Sequence, residues 1–254
     1  MTADGDFKPY IRLDQAMVER GLAPSRSRAA DAVSRGVVFV DTLKAAKAAQ
    51  KVSPDAIITM KDPASGYVSR AALKLIAALD AFSFSPKGLK IIDIGASTGG
   101  FTQVLIQRGA AHIFAVDVGH DQLHKMIQED TRVTNMQGIN ARALTPDDIK
   151  TPLQAIVSDV SFISLKLALP PALAMAAPGA WAALLVKPQF EVGRELVGRG
   201  GLVRDLEDGK RAANNIASWI NGMPGWKLKG LIECPITGGD GNQEYLLGAT
   251  FNGH

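Results

Sequence analysis

A glycine-rich turn at residues 91–102 is the most informative stretch of the sequence for chemistry. An apolar strand leads into glycines at positions 95, 99 and 100, and a helical pattern follows. Glycines let a backbone adopt positive φ and approach a ligand closely. No Gly-Lys-Ser/Thr ends the turn, as it would in a phosphate-binding Walker loop. Ala96 and Ser97 stand where a dinucleotide pyrophosphate requires a second glycine, so both phosphate-binding patterns are disfavoured.

The pattern Asp-x-Gly-x-x-x-Gly-Gly-Phe, from Asp93 to Phe101, instead resembles the first motif of the S-adenosylmethionine-dependent methyltransferases. That ligand presents an amino-acid end and a ribose. Asp117 closes the next strand and supplies a carboxylate where the ribose hydroxyls would lie. The predicted cofactor is therefore S-adenosylmethionine. The predicted cofactor-binding residues are Asp93, Gly95, Ser97, Gly99, Gly100, Phe101, Thr102, Asp117 and Asp159.

Three kinds of methyl-transfer chemistry are disfavoured by residue type. Exocyclic amine acceptors commonly require Asn/Asp-Pro-Pro-aromatic, where this chain has Ser158-Asp159-Val160-Ser161. Methylation of a pyrimidine ring carbon requires a cysteine nucleophile, and the single cysteine, Cys234, lies far along the chain. Radical chemistry requires three clustered cysteines. The same lone cysteine excludes a disulfide framework and a multi-cysteine metal site, and no metal is predicted.

Hydroxyl methylation makes other demands, because a ribose hydroxyl is a weak acid and a poor nucleophile. A lysine beside the oxygen can stabilise the developing alkoxide, and positioning alone can supply about 7–11 kcal/mol. Asp159 and Lys187 each end an apolar strand, so both should lie at the carboxyl edge of a parallel sheet with the Gly95 turn. Lys74 lies on the helix that precedes the first strand of the predicted sheet, and Glu244 begins the last strand.

An alternating series of elements must position these residues. Residues 69–81 are predicted to form a helix, and strands are predicted at 90–94, 113–117, 155–159 and 181–187. Alternation of this kind indicates an α/β fold, with a parallel sheet and helices on both faces. Residues 226–234 and 245–251 are predicted to form an antiparallel edge hairpin, joined by the glycine-rich turn at 237–242.

The N-terminal segment differs from the rest in charge. From Lys8 to Lys51 there are nine Lys and Arg residues against four Asp and Glu residues, a net +5 in a chain whose total is +3. Two helices, at 13–20 and from Ser25 to 35, and two strands, at 37–41 and 56–60, predict a compact α+β module. Its charge suggests a polyanionic partner. The predicted domains are residues 1–61 and 69–254, with a linker at 62–68.

No targeting or membrane segment is predicted. The first ten residues contain Asp4 and Asp6 and have no apolar core, so they do not form a secretory signal. The most apolar stretch, 172–186, is interrupted by Pro178-Gly179 and is shorter than the roughly 20 residues that span a bilayer. A cytoplasmic protein without a membrane partner is expected, and the oligomeric state is not predicted.

These residues, in this order, resemble the TlyA family, which joins an S4-type RNA-binding domain to a Rossmann-like class I methyltransferase domain of the FtsJ type. The resemblance covers nearly the whole chain. It rests on Arg12-Leu13-Asp14, Ser25-Arg26 through Val40, Tyr67-Val68-Ser69-Arg70, Asp93 to Thr102, Ser158 to Leu165, Val186 to Arg204-Asp205, and Gly241-Asn242-Gln243-Glu244.

The resemblance implies a catalytic tetrad of Lys74, Asp159, Lys187 and Glu244, with Lys187 as the central base or alkoxide stabiliser. It also implies 2′-O-methylation of a ribosomal RNA cytidine, with ribosomal RNA or a ribosomal subunit as the partner. The residues predicted to contact RNA are Arg12, Arg26, Arg28 and Arg35. The compact C-terminus favours large-subunit RNA. The alternatives are a non-catalytic RNA-binding or ribosome-assembly factor, and a membrane-active haemolysin, after a label that the family carries.

Two positions depart from the family pattern. Some members have Arg-x-Trp-Val at the interdomain junction, where this chain has Ser65-Gly66-Tyr67-Val68, so coupling through that arginine is not predicted. Gln137 stands where the third-strand region of the family usually carries a glutamate, and no cofactor contact is assigned to it.

Overall fold

A computed structural model describes residues 9–238 and 241–253. Residues 1–8, and Gly239 and Asp240 of the predicted 237–242 turn, lie outside the described residues. The chain divides into two compact units, Met1–Ser65 and Gly66–His254. This division falls inside the predicted 62–68 linker, and the second half of that segment belongs to the larger unit. Gln103 explains this assignment, because its side chain accepts from the Val68 amide and donates to the Gly66 carbonyl oxygen, at 2.8 and 3.0 Å.

The smaller unit packs two helices against short strands. Ser25 caps the second helix as predicted, because its hydroxyl accepts from the Arg28 amide at 3.3 Å. Leu13, Met17 and Val38 are fully buried at the centre of its apolar core. Both predicted helices and both predicted strands are present, at slightly shorter lengths. The elements are β1 Ile11–Arg12, α1 Leu13–Glu19, α2 Arg26–Ser34, β2 Val38–Val40, β3 Leu43–Lys44, β4 Lys51–Val52 and β5 Ile58–Met60.

The larger unit alternates strands and helices, as the sequence predicts. Its elements are α3 Ala71–Phe82, β6 Lys90–Ile94, α4 Gly100–Gln107, β7 His112–Asp117, α5 Lys125–Gln128, β8 Val133–Gln137, α6 Pro146–Ile149, β9 Leu153–Ser158, α7 Leu165–Ala168, α8 Pro170–Ala174, β10 Ala176–Val186, α9 Leu206–Asn221, β11 Trp226–Glu233 and β12 Tyr245–Phe251. Within residues 9–238 and 241–253, no helix has both the length and the apolar character needed to cross a membrane.

These strands form one seven-stranded sheet in the order β11-β12-β10-β9-β6-β7-β8. β12 runs antiparallel to both of its neighbours. The chain leaves β6 toward β7 and later returns to β9 on its other side, so the crevice at the carboxyl end of β6 is the topological switch point where α/β proteins bind ligands. The α/β class predicted from the alternation is confirmed.

The last two strands correct one part of the prediction. They do pair antiparallel, but only β11 is an edge strand, because β12 lies between β10 and β11. All but one of the β12 residues are buried. A strand buried on both faces requires hydrogen-bonded neighbours on both sides, and β11 alone leaves one side open. The exposed Lys227 and Lys229 suit β11 to the edge position.

Asp93 is fully buried in β6, beneath the glycine turn. The Thr102 hydroxyl of α4 donates to Asp93 Oδ2 at 2.7 Å, while Asp93 Oδ1 has no hydrogen-bond partner among the described residues. Burial raises the pKa of Asp93 to about 7, and the neighbouring carboxylates of Asp159 and Asp117 add to this effect. Asp93 therefore fastens the strand to the helix that follows the turn, and it carries a proton over much of the acidic range.

We expect Asp93→Asn to flatten the pH dependence of stability. A carboxyl whose pKa is raised on folding contributes stability that is complete below its unfolded value near 4 and is lost as the pH rises through about 7. The amide cannot ionise, so between pH 4 and 7 the melting temperature of the variant should fall less steeply than that of the wild type. Thermal unfolding by circular dichroism at several pH values measures the two slopes. Parallel slopes would contradict the raised pKa.

Candidate functional site

Four of the predicted site residues converge because each adjoins a strand at one edge of the sheet. Gly95, Asp159 and Lys187 directly follow β6, β9 and β10, whose ends are held in register by the pairs Ile94↔Ser158 and Ser158↔Leu184. Glu244 directly precedes β12. Because β12 is antiparallel and pairs Tyr245 with Val186, its beginning lies at the same edge.

The predicted tetrad forms two adjacent ion pairs. Lys187 Nζ lies 2.6 Å from Asp159 Oδ1, and Lys74 Nζ lies 2.5 Å from Glu244 Oε2. The four side chains are 3–14% exposed, so solvent screens their charges only weakly. Lys187 also donates to the Ser161 hydroxyl at 2.8 Å. Burial raises the pKa of Glu244, and the cation of Lys74 opposes that shift.

Three of the four tetrad residues line one cavity, here called the acceptor cavity. Its volume is about 420 Å³, and its polar wall contains Lys74, Lys187 and Glu244. Two aromatic residues, Phe162 and Phe190, also line it, with their ring centroids 5.1 Å apart. Phe162 is 91% exposed and has a φ of +65°, a conformation that residues other than glycine rarely adopt. The acceptor cavity thus combines two amines and one carboxylate with aromatic side chains.

A larger cavity of about 550 Å³, here called the cofactor cavity, lies at the switch point. Gly95, Ser97, Asp117 and Asp159 line it, together with residues that follow β8. Asp117 is fixed by the loops, because it accepts from the amides of Ser97 and Gly119, each at 2.8 Å. The volume lies within the range of small-molecule sites, and the few polar groups stand among apolar ones, as in such sites.

A third cavity of about 230 Å³, here called the passage, shares lining residues with both of the larger cavities. It shares Asp159 with the cofactor cavity and Lys187 with the acceptor cavity. Ser161 lines all three, and Phe162 lines both of the larger cavities. Only glycine fits at position 95 in the wall of this passage, because a Cβ there would lie 2.8 Å from the carbonyl oxygen of Asp159. Asp159 and Lys187 therefore stand where the linings of the three cavities meet.

The predicted cofactor-binding residues fall into two sets. Gly95, Ser97, Asp117 and Asp159 line the cofactor cavity, and Gly100 and Phe101 line the passage. Asp93 and Thr102 are fully buried and bind each other, and Gly99 packs near Leu123 and Ile127. Direct cofactor contact by these three residues stays a prediction, while the structure gives each of them a place in supporting the turn.

Sequence reasoning did not select several residues that line the site. Ser161 and Phe162 belong to a run quoted only as family likeness, and Phe190 and Asn140 received no role. Ser161 lies two residues after Asp159, and an aromatic residue beside a polar catalytic run could have signalled Phe162. Among the described residues, no group of three or more His, Cys, Asp or Glu side chains could hold a metal ion.

In the smaller unit, one buried carboxylate holds two of the predicted RNA-contacting arginines. Asp14 accepts from Arg12 Nε and Nη2, at 3.0 and 2.9 Å, and from Arg26 Nη2 at 3.2 Å. The hydrogen bond from Arg12, together with that from Arg26, lowers the pKa of Asp14 to about 2. Both guanidinium groups remain largely exposed. Asp14 therefore orients two cations at the surface while staying ionised.

The other two arginines differ from each other. Arg28 is exposed on α2. Arg35 is mostly buried, and its guanidinium binds the carboxylates of Asp31 and Asp62, the latter through two hydrogen bonds of 2.8 and 2.6 Å. Its charge is therefore used within the unit, so an RNA contact by Arg35 would compete with these ion pairs.

Comparison with known proteins places both units in families. Residues 67–251 match the FtsJ-like methyltransferase family, and residues 11–58 match the S4 domain. A Mycobacterium tuberculosis protein named 16S/23S rRNA (cytidine-2′-O)-methyltransferase TlyA is 44% identical, over 93% of this chain and 88% of its own length.

Two solved structures share the architecture. A structure from Streptococcus thermophilus that carries a hemolysin name is 37% identical, with a TM-score of 0.74, over 96% of this chain and 89% of that one. An O-methyltransferase from Bacillus cereus, solved in complex with SAH, is 13% identical with a TM-score of 0.51, over 74% and 83% of the two chains, and shares the fold alone. The chain belongs to the FtsJ-like methyltransferases and, within them, to the TlyA family.

Proposed function

We propose that this protein transfers a methyl group from S-adenosylmethionine to a ribose 2′-hydroxyl of ribosomal RNA. The observation that carries the proposal is the passage between two cavities, where Asp159 and Lys187 stand side by side. A transfer between two bound molecules requires adjoining sites and a polar group at their junction. The cytidine acceptor follows from the name of the Mycobacterium tuberculosis relative, and large-subunit RNA is the proposed target.

The cofactor cavity has the groups that S-adenosylmethionine requires. Asp117 is placed to accept from ribose hydroxyls, and Gly95 allows the backbone to lie close to the ligand. The apolar side chains of Val116 and Ile139 offer packing surface for a base. When bound, the cofactor supplies an electrophilic methyl group on a sulfonium. The chain itself has to hold this group at the passage and exclude water around it.

Lys187 is the proposed base or alkoxide stabiliser for the acceptor hydroxyl. Its amine points to the junction, held by Asp159 and Ser161. In its ammonium form Nζ can donate to the oxygen as negative charge develops there, whereas only the neutral amine can take the hydroxyl proton. Lys74 and Glu244 form the second pair and keep a further cation close to the reacting oxygen. These roles match the Lys-Asp-Lys-Glu tetrad predicted from the sequence.

The acceptor cavity suits a nucleotide rather than a small alcohol. The rings of Phe162 and Phe190 present an aromatic surface, and unstacked RNA bases pack on such surfaces. The arginines of the S4-type domain then supply contacts to the phosphate backbone, which position the RNA without reading its sequence. The two domains thus divide binding and chemistry between them.

We expect Lys187→Ala to lower methyl transfer to ribosomal RNA at least a hundredfold. The cofactor affinity should stay within a few-fold, because the turn and Asp117 are untouched. A filter assay with radiolabelled S-adenosylmethionine measures transfer, and calorimetry measures binding. Lys90→Ala is the matched control, since Lys90 lies at the opposite end of β6. Undiminished turnover would remove Lys187 from the mechanism.

A wild-type protein that binds RNA but neither binds S-adenosylmethionine nor methylates RNA would contradict the proposed function. That result would favour the non-catalytic ribosome-assembly alternative. The assay should therefore compare naked RNA, separate ribosomal subunits and whole ribosomes, followed by mapping of ribose methylation. Such mapping also identifies the nucleotide and the subunit.

We expect Arg26→Ala with Arg28→Ala to weaken RNA binding and its dependence on salt. Losing two phosphate contacts should reduce the slope of log Kd against log salt by about 1.4–1.8. Arg12 stays in place, so Asp14 keeps its bidentate partner and the domain remains folded. Arg108→Ala with Lys150→Ala is the control. It removes two positive charges from the larger unit and should leave the slope unchanged. An equal effect of both pairs would indicate only a net-charge contribution.

A further inference from the structure

Glu191 joins the two loops that build the acceptor cavity. One loop, here called the β9 loop, comprises residues 159–164 and leads into α7. The other, here called the β10 loop, comprises residues 187–191. The Glu191 carboxylate uses both oxygens across the gap, accepting from the Ser164 hydroxyl at 2.5 Å and from the Leu165 amide at 2.8 Å. Glu191 has no role in the predicted tetrad.

Side chains of the two loops contact each other at several points. Lys187 of the β10 loop binds Asp159 and Ser161 of the β9 loop, and the ring of Phe190 lies against that of Phe162. Glu191 adds a further contact between the two loops, at the end of the β9 loop next to α7. It is the carboxylate that fixes the outer end of the β9 loop, while the strand register fixes the inner end.

The backbone conformation of Phe162 explains why the end of the β9 loop near Ser164 has to be held in place. Its positive φ is disfavoured for a residue with a side chain and persists only where the surroundings hold it. Its ring is 91% exposed, so packing of the ring itself supplies little restraint. The restraint must then come from the backbone on either side. Asp159 anchors one side, because its amide donates to the Ile94 carbonyl oxygen at 3.0 Å, and Glu191 anchors the other through Ser164 and Leu165.

Solubility does not account for the Glu191 carboxylate. Glu191 is partly buried, and burial raises its pKa, which the hydrogen bonds from Ser164 and Leu165 oppose. A solubilising charge would lie in solvent instead. α7 has only four residues, and Ser164 already caps it by accepting from the Lys166 amide at 3.2 Å. Glu191 satisfies a different amide of the same helix, that of Leu165, and its second oxygen accepts from Ser164, so Glu191 adds to the cap and also links the two loops.

We propose that Glu191 is a positioning residue for the RNA acceptor, holding the β9 loop so that Phe162 faces the acceptor cavity beside Phe190. This inference rests on the proposed function. It assigns Glu191 no contact with the cofactor or the reacting oxygen. Its loss should thus lower the use of RNA substrate through Phe162, while the polar contacts at Gly95, Ser97 and Asp117 keep the cofactor bound.

The test compares Glu191→Ala and Glu191→Gln in the full chain. The alanine variant should lower kcat/KM for RNA at least tenfold and leave the cofactor Kd within threefold. Glutamine can accept from the Leu165 amide and donate to the Ser164 hydroxyl oxygen, so it should restore kcat/KM to within threefold of wild type. Asp148→Ala is the matched control. Asp148 accepts from the amide and hydroxyl of Thr145 before α6, away from the described cavities, and its loss should leave kcat/KM unchanged.

A double-mutant cycle with Phe162→Ala separates positioning from general stability. If Glu191 acts through Phe162, adding Glu191→Ala to Phe162→Ala should lower kcat/KM less than twofold further. Fully multiplicative effects, or wild-type kcat/KM in Glu191→Ala, would overturn the inference. A fall in cofactor affinity equal to the fall in kcat/KM would also overturn it. An inactive wild type would instead contradict the proposed function, so the two failures are distinguishable.

Discussion

The direction of β12 is the constraint on which the site depends. A strand that ran parallel to β10 would place Glu244 at the far edge of the sheet, and Lys74 would lose its buried partner. Its antiparallel pairing with β10 puts Glu244 beside the end of β10, where Lys187 follows. A lysine buried without a carboxylate is costly, because its charge leaves water without compensation. The antiparallel direction of β12 therefore completes the sheet and also gives Lys74 its carboxylate partner.

The carboxyl ends of β6, β9 and β10 lie at one edge of the sheet, which explains why three cavities meet at few residues. Parallel strands deliver Gly95, Asp159 and Lys187 side by side, with Ser161 two residues beyond, and the glycine leaves room for the backbone of the neighbouring loop. The three cavities share Ser161 and otherwise differ in most of their lining, and the residues at their junction directly follow strands. Residues placed by strand ends give the junction a defined geometry, which a transfer between two bound molecules requires.

The arginines of the smaller unit illustrate how neighbours decide the use of a charge. Asp14 and Asp62 are both carboxylates next to arginine, but Asp14 leaves Arg12 and Arg26 exposed, while Asp62 and Asp31 enclose Arg35. The first arrangement presents oriented cations to solvent. The second ties α2 to the chain that follows β5. Charge counts along the sequence cannot separate these two uses.

The sequence by itself determined the alternating elements, the glycine turn and the polar residues at strand ends, because these follow from local periodicity and residue type. The family motif allowed Lys74 and Glu244 to be grouped with Asp159 and Lys187. Only the tertiary structure decided that β12 lies inside the sheet, that Asp93 and Thr102 bind each other, and that Glu191 joins two loops. Each of these depends on contacts between distant segments, which local patterns do not encode.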